Sequence, residues 1–379
     1  MKILMISADK KIGDEKSDVY ERQRAYARMC DELHIIVLTD SGGGDRVREN
    51  LFLYAASGNK IMQRMHALRI ARLVAKGRKM NVITAQSPDE IGLIAYIIAR
   101  LFHIRLQLQV HTDVCSPWYR SAGMVPRMKY MLARFLLRRA DCVRVVSARI
   151  ARSLVSELNI PESLITVLPI FTDVALFAKR IEAPKDGRMR KPECSMIAVG
   201  RFLDKEKNFS MLIRAMITVV KQCPAAVLTL VGDGPDKEYY EMLVAAFNLK
   251  NNVFLKPWRN DLSVLYPSFD LFVLPSYIEG WGMAVIEAMA AGLAVVMTDV
   301  GVAGEVVRDG INGIVVPVND QDALAHALIQ LCKNPDLRKK YSQKARETVL
   351  HLVPRTKEEY LKQWRKSFDC CSRSIVPSR

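Results

Sequence analysis

Two glutamates stand eight positions apart in the run Pro275-Ser-Tyr-Ile-Glu279-Gly280-Trp281-Gly282-Met283-Ala-Val-Ile-Glu287. The residues after Gly282 read as a helix, so the glycine-bounded turn presents backbone N–H groups at a helix N-terminus, where negative charge is received well. Glu287 falls one turn into the helix, within reach of a ribose diol whose two hydroxyls a carboxylate can accept. Glu279 precedes the turn and reaches a second polyol, the sugar beyond a pair of phosphates. The plainer alternative is a capping carboxylate followed by a surface glutamate. The helix is otherwise almost wholly apolar, however, and an unpaired Glu287 inside it would be costly.

Three other clusters in this half serve the same chemistry. Val199-Gly200-Arg201-Phe-Leu-Asp-Lys-Glu-Lys207-Asn208 leaves a strand and enters a helix. Two cations there suit a diphosphate, Arg201 through its fork and Lys207 as a point charge; a solvated loop with ordinary surface charge is the competing explanation. Val231-Gly232-Asp233-Gly234-Pro235 makes a turn with Pro at a helix start, and turn geometry accounts for it. Turn punctuation also accounts for most of the glycine-rich stretch Thr298 to Gly313. In the first half, Leu106-Gln-Leu-Gln-Val110-His111-Thr-Asp113 ends a strand with His and Asp two apart. A neutral His111 can donate to a phosphate or a developing charge, and Asp113 can accept an acceptor hydroxyl; a strand-end histidine satisfied by a backbone carbonyl is the alternative. Asp320-Gln-Asp322 has the look of a metal-binding pair but stands at a helix start, where Asp is an ordinary N-cap.

Together these motifs resemble the donor-binding half of the large retaining glycosyltransferase family 4, whose fold is called GT-B. The resemblance spans nearly the whole chain, and the paired glutamates with their glycine turn are its specific element. It implies that Arg201 and Lys207 bind the donor diphosphate, Glu279 the sugar hydroxyls and Glu287 the ribose. By the same resemblance the backbone of Gly280, Trp281, Gly282 and Met283 would touch phosphate or sugar; the family usually has Phe where Trp281 stands. The family also carries a histidine at the strand end beside the reacting carbon, which gives His111 a catalytic place together with Glu279 and Asp113. Its first loop often has two adjacent glycines that seat the donor phosphates; here Gly13 stands alone, with Lys10 and Lys11 to supply charge. The diphosphate is neutralised by cations and helix amides, so neither a metal nor a cofactor is expected. The resemblance also implies that anomeric configuration is retained, with the leaving phosphate itself helping to deprotonate the acceptor.

The elements that must position these residues are α/β throughout. Short apolar runs such as Lys2–Ala8, Leu33–Thr39, Asn81–Ala85, Ile104–Val110 and Cys142–Val146 alternate with helical stretches, and the pattern restarts at Ser195–Val199. Strands alternating with helices of this length mean parallel βαβ units and a doubly wound sheet. We expect two Rossmann-like doubly wound domains facing across a cleft: residues 1–178 on the acceptor side and 193–352 on the nucleotide-sugar side. Between them the charged, proline-bearing segment 179–192 reads as a linker. A helix over 353–370 sets Tyr360, Leu361, Trp364 and Phe368 on one face and is expected to pack back toward the first domain, leaving 371–379 as a tail.

The 379 residues are half apolar and a quarter charged, the balance of a soluble globular protein. No apolar run reaches the ~18–20 residues of a spanning helix, and the start lacks the core of a signal peptide. A cytoplasmic protein, peripheral at the inner membrane face, is expected. The eight cysteines show no metal-ligand spacing and argue against a metal site or a disulfide framework. Net charge is +16, and residues 51–150 alone hold 17 Lys and Arg against 4 Asp and Glu. Lys60, Arg64, Arg69, Arg72, Lys76, Arg78 and Lys79 crowd one helix. Arg120, Arg127, Lys129, Arg134, Arg138 and Arg139 crowd another, among Met128, Met131, Leu132, Phe135 and Leu136. Either the second helix packs its apolar side on the sheet and solvates its basic side, or it lies on an anionic bilayer. The concentrated charge favours membrane contact.

The expected function is transfer of a hexosyl unit from a UDP- or GDP-linked sugar to a glycan or lipid-linked acceptor, in cell envelope polysaccharide synthesis. The rivals are a nucleotide-sugar epimerase or hydrolase on the same plan, and a non-catalytic basic module binding nucleic acid or membrane. Nucleic acid is not expected as a partner, since no aromatics interleave with the basic residues and no recognised motif is present.

Overall fold

A computed structural model of the chain describes residues 1–40, 44–121, 123–179, 194–352 and 356–372. The linker expected at 179–192 lies outside them apart from Lys179, as does the tail beyond Ser372. The chain forms two units, Met1–Pro169 with the C-terminal segment from Lys357, and Ile170–Thr356.

The central strands of the first unit are mostly apolar runs buried on both faces, as helix-covered parallel sheets require, and its edge strands are more exposed. In chain order the strands are β1 (Lys2–Ser7), β2 (Glu32–Thr39), β3 (Arg46–Arg48), β4 (Leu51–Ser57), β5 (Val82–Ala85), β6 (Arg105–Val110), β7 (Cys142–Val145) and β8 (Ile165–Val167). Their order is β3-β4-β2-β1-β5-β6-β7-β8. Every pairing is parallel except β3 with β4, so the expected parallel sheet gains one antiparallel edge strand. The second unit has β9 (Ser195–Val199), β10 (Val227–Val231), β11 (Val253–Lys256), β12 (Leu271–Leu274), β13 (Ala294–Thr298) and β14 (Ile314–Val316), ordered β11-β10-β9-β12-β13-β14 and all parallel. The order reverses between β9 and β12. In a doubly wound sheet that switch point opens a crevice at the carboxyl ends of the strands. The loops leaving β9 and β12 are the two that carry Arg201 with Lys207, and Glu279.

The second unit's core is a continuous cluster in which Phe202, Phe209 and Tyr240 meet edge to face at 5.5–5.9 Å. The short helix Val174–Ala178 packs on the helix Met283–Ala290 in this unit, so the sequence boundary placed at residue 178 falls late. In the first unit the C-terminal helix Lys357–Lys366 packs on the helix Asp18–Ala27. Trp364 is fully buried and stacks on Tyr26 at 4.2 Å, while the Tyr26 and Tyr360 hydroxyls meet at 3.2 Å. This return also overturns the reading that the cysteines are unlinked. Cys142 of β7 and Cys371 are joined as a disulfide across 229 positions, their Cα atoms 5.0 Å apart. Spacing along the chain hides such a pair, because only the docked C-terminal segment brings it together.

Candidate functional site

The loop after β9 is built on contacts that demand glycine elsewhere. A Cβ on Gly232 would lie 2.0 Å from the Gly200 carbonyl oxygen, and one on Gly234, at φ +156°, 2.4 Å from the Phe202 carbonyl oxygen. Gly232 and Gly234 therefore let the loop after β10 cross directly over the loop after β9, which turn geometry alone does not reveal. Hydrogen bonds lock the crossing: Phe202 N–H donates to Asp233 O at 2.8 Å and Asp204 N–H to the Asp236 carboxylate at 2.6 Å. Asp204 in turn accepts from Ser210 and from the Tyr240 hydroxyl. Held this way, Lys207 lies across Gly200, its Cδ and Cε 3.4 Å from where a Cβ would stand. Arg201 is exposed at the strand end.

The loop after β12 meets it. Lys207 Nζ donates to Glu279 Oε1, and Ser276 Oγ donates to the same oxygen at 2.9 Å. Both members of the ion pair are largely covered, with side chains 20% and 11% exposed. Tyr277 N–H ties the two loops further, donating to Glu206 O at 2.9 Å. Gly301 presses on this turn from the glycine-rich loop after β13: its φ is +54°, and a Cβ there would meet the Trp281 carbonyl oxygen at 2.7 Å. The Trp281 side chain is buried, and among the described residues its indole N–H has no partner.

Gly282, at φ +95°, ends the turn and starts the helix Met283–Ala290. The backbone N–H groups of Gly280, Trp281, Gly282 and Met283 have no acceptor among the described residues, which leaves an array of donors at the positive end of the helix dipole. One turn along, Glu287 receives a single long hydrogen bond, from the Tyr266 hydroxyl at 3.4 Å. Burial pushes its carboxyl up to about 7, and the Tyr266 bond only partly opposes this. A carboxylate so weakly satisfied is ready to accept further hydroxyl donors.

In the first unit His111 follows β6 and is half-buried. Its Nε2 meets Gln109 Oε1 at 3.2 Å, and Gln109 Nε2 donates to Thr84 Oγ1 at 3.0 Å. Since Gln109 turns its carbonyl to the ring, this network assigns the proton to Nε2 and leaves Nδ1 as an acceptor. Burial, with Arg144 and Arg22 adding to it, pushes the imidazole down to about 3, so the ring is neutral. Asp113 is buried, its carboxylate accepting from Ser153 Oγ at 2.8 Å and from Cys115 N–H at 3.0 Å. Both oxygens are engaged, so the geometry favours a task in holding the β6 exit loop over the acceptor contact expected from the sequence. A cavity of ≈ 220 Å³ beside His111 is lined also by Ser87, Asp89, Thr112, Tyr119 and Lys129. Gly13 closes the short 3-10 helix Lys10–Gly13, its carbonyl accepting from Arg46, and Lys10 pairs with Asp40.

The structure thus brings Lys207, Glu279 and the amides of 280–283 together within the second unit and sets His111 in the first. Ser276, Tyr266 and Gln109 escaped the sequence reading. Gln109 left a trace, because Gln107 and Gln109 are two amides in a strand that is otherwise apolar and buried after Arg105. Asp320 accepts from Ala323 N–H at 2.8 Å as a helix cap. Among the described residues one group of three close metal-ligating side chains is present, Cys142, Cys370 and Cys371, and two of these form the disulfide.

Residues 18–170 match the glycosyl transferase 4-like domain, and 179–348 match glycosyl transferases group 1. The N-acetyl-alpha-D-glucosaminyl L-malate synthase of Bacillus anthracis is 30% identical over 281 residues, 73% of this chain and 71% of that protein. A UDP-Gal:alpha-D-GlcNAc-diphosphoundecaprenol alpha-1,3-galactosyltransferase of Escherichia coli is 26% identical over 269 residues, 68% of this chain and 67% of its own. Among solved structures, sucrose-phosphate synthase of Thermosynechococcus elongatus superposes with a TM-score of 0.78 at 22% identity, covering 97% of this chain and 98% of that one. HepE of Anabaena, in complex with UDP, gives 0.74 at 16% identity, covering 97% and 100%. The fold is that of the GT-B proteins. The chain belongs to the family 4-like glycosyltransferases, and it is a glycosyltransferase.

Proposed function

We propose that this glycosyltransferase moves a hexosyl unit from a UDP- or GDP-linked sugar to a glycan or lipid-linked acceptor at the cytosolic face of a membrane, with retention and without a metal. The observation that carries this reading is the meeting of Lys207, Glu279 and four unpartnered amides at one helix N-terminus. Such a set supplies a cation and aligned N–H donors for a diphosphate beside a carboxylate for sugar hydroxyls. Lys207 would exchange part of its hold on Glu279 for phosphate oxygen, freeing Glu279 to accept from the sugar. Glu287 would take the ribose hydroxyls, and Arg201 the outer phosphate charge.

In the reaction the bond from the anomeric carbon to the phosphate oxygen breaks, and that oxygen receives the acceptor proton. The acceptor oxygen then bonds to the anomeric carbon on the same face. His111, neutral, accepts a hydroxyl hydrogen bond at Nδ1. A similar protein named for UDP-Gal transfer to a diphosphoundecaprenol-linked sugar and a like-folded protein crystallised with UDP support a nucleotide donor and a lipid-linked acceptor.

Thermal stabilisation by a panel of UDP-, GDP- and ADP-sugars, with and without chelator, tests the reading. One donor class is expected to shift the melting point equally with chelator present, and the shift to vanish in Arg201→Ala and Glu287→Ala. An unmoved melting point with every donor would remove the proposed donor, and donor consumption at full rate without acceptor would remove the proposed acceptor.

A further inference from the structure

Met124, Met128, Met131 and Phe135 succeed one another at helical spacing along Met124–Leu137 and stack into one ridge. That ridge faces solvent: Met124 is 79%, Met128 67% and Met131 56% exposed. Exposed Arg127, Arg134 and Arg138 run along one flank, and Arg139 covers the Phe135 ring from 4.0 Å. The opposite side of the helix, through Ala133, Leu136 and Leu137, is the one that packs into the unit. The apolar ridge is therefore additional to the core-facing side.

The helices Lys60–Gly77 and Glu90–Phe102 complete a layer on the same face of the sheet, the middle helix touching both neighbours. They add exposed Ile61, Met65, Leu73 and Leu101. The three helices contain nine Lys and Arg against one acid, Glu90, which pairs with Arg64 at 3.1 Å. Contiguous apolar surface on a soluble chain marks a contact site. A second copy laid face to face would set arginines against arginines. Nucleic acid would satisfy the cations but not the methionine ridge. An anionic bilayer satisfies both.

We infer that the outward face of this three-helix layer docks on an anionic lipid surface, the Met124–Met128–Met131–Phe135 ridge entering the headgroup boundary. The inference deepens the proposed transfer to a membrane-held acceptor and rests on it for its purpose. Lys129 and Ala133, on the inner side of the same helix, line the cavity that His111 also lines. One helix thus has lipid on one side and that cavity on the other, so an acceptor hydroxyl carried on a lipid reaches it from the bilayer surface.

Co-sedimentation tests this with phosphatidylcholine vesicles containing about 30% phosphatidylglycerol, against pure phosphatidylcholine, at low and high salt. The wild type should sediment with the anionic vesicles only, and less at high salt. Met128→Glu with Met131→Glu, and separately Arg127→Gln with Arg134→Gln, should each weaken partitioning by about tenfold or more. Met242→Glu, at an exposed methionine of the other unit, should bind as wild type. All substituted side chains are exposed, and melting curves check that the folds are kept. Equal binding of neutral and anionic vesicles, or wild-type binding by either paired variant, overturns the inference. So does a dimer that the methionine variant dissociates in sedimentation velocity. Donor-induced melting shifts are read on the same samples. Vesicle binding without any donor shift leaves the docking face standing and removes the proposed donor reading, and the reverse outcome removes only the docking face.

Discussion

Burial holds the Glu287 carboxyl near 7 and leaves it one long partner, so its charge changes where the protein is assayed. Ribose hydroxyls donate best to the ionised form, and donor affinity should therefore rise as pH passes upward through about 7. Titration calorimetry across that range checks this, and Glu287→Gln should give a weaker and flat profile. The effect on stability runs the other way. The folded pKa lies above the ordinary 4.5, so the native state binds the extra proton, and stability falls as pH rises from about 4.5 to about 7. Glu287→Gln should accordingly gain on the order of 1–3 kcal/mol over wild type at alkaline pH and little at acid pH, read from denaturant midpoints. At Gly232 the reason is steric. A methyl group 2.0 Å from the Gly200 oxygen must part the loops after β9 and β10. Gly232→Ala should cost about 2–4 kcal/mol and lose donor binding with it.

At the scale of elements, the C-terminal helix is held to the rest of the first unit by Trp364 against Tyr26. Trp364→Ala should cost about 3–5 kcal/mol, measured by chemical denaturation, and loosen the segment that carries Cys371. The neighbouring hydrogen bond from Gln107 Nε2 to Ser367 O, at 2.9 Å, would go with it. Gln107 contacts Thr84, and Thr84 in turn receives the Gln109 amide that orients His111. Trp364→Ala is therefore expected to lower turnover with little change in donor KM. The switch-point order of the second sheet explains in the same terms why Lys207 and Glu279 meet, although 72 positions separate them. Adjacent strands that run to the same edge deliver their exit loops to one place.

At the scale of the molecule, each unit has its own sheet and core, and the residues proposed to hold the donor, Gly13 apart, lie within Ile170–Thr356. A nucleotide sugar at 100 times its Kd should stabilise that unit by about 2.7 kcal/mol. Calorimetry should show a transition that moves with donor, while Trp364→Ala lowers the transition of the first unit. Charge is divided as well, since residues 51–150 carry most of the +16 excess and supply the helices of the basic face. No helix among the described residues is long and apolar enough to cross a membrane.

The sequence by itself determined the α/β alternation, the glycine-bounded turn between Glu279 and Glu287, the strand-end place of His111 and the concentration of positive charge. These are local properties: apolar period, turn residues and helix starts are written in neighbouring positions. It did not show the short edge strand β3, the strand β4 beside it or the Cys142–Cys371 pairing, which depend on long-range neighbours. Nor did it decide which side of Met124–Leu137 faces inward, because both sides carry apolar residues and only packing on the sheet chooses. Tertiary structure alone showed that Gly232 serves a loop crossing, that Asp113 is spent on its own loop and that Gln109 sets the His111 tautomer. Each depends on a partner distant in the chain, Gly200 for Gly232, Ser153 for Asp113 and Thr84 for Gln109, which only the folded sheet brings near.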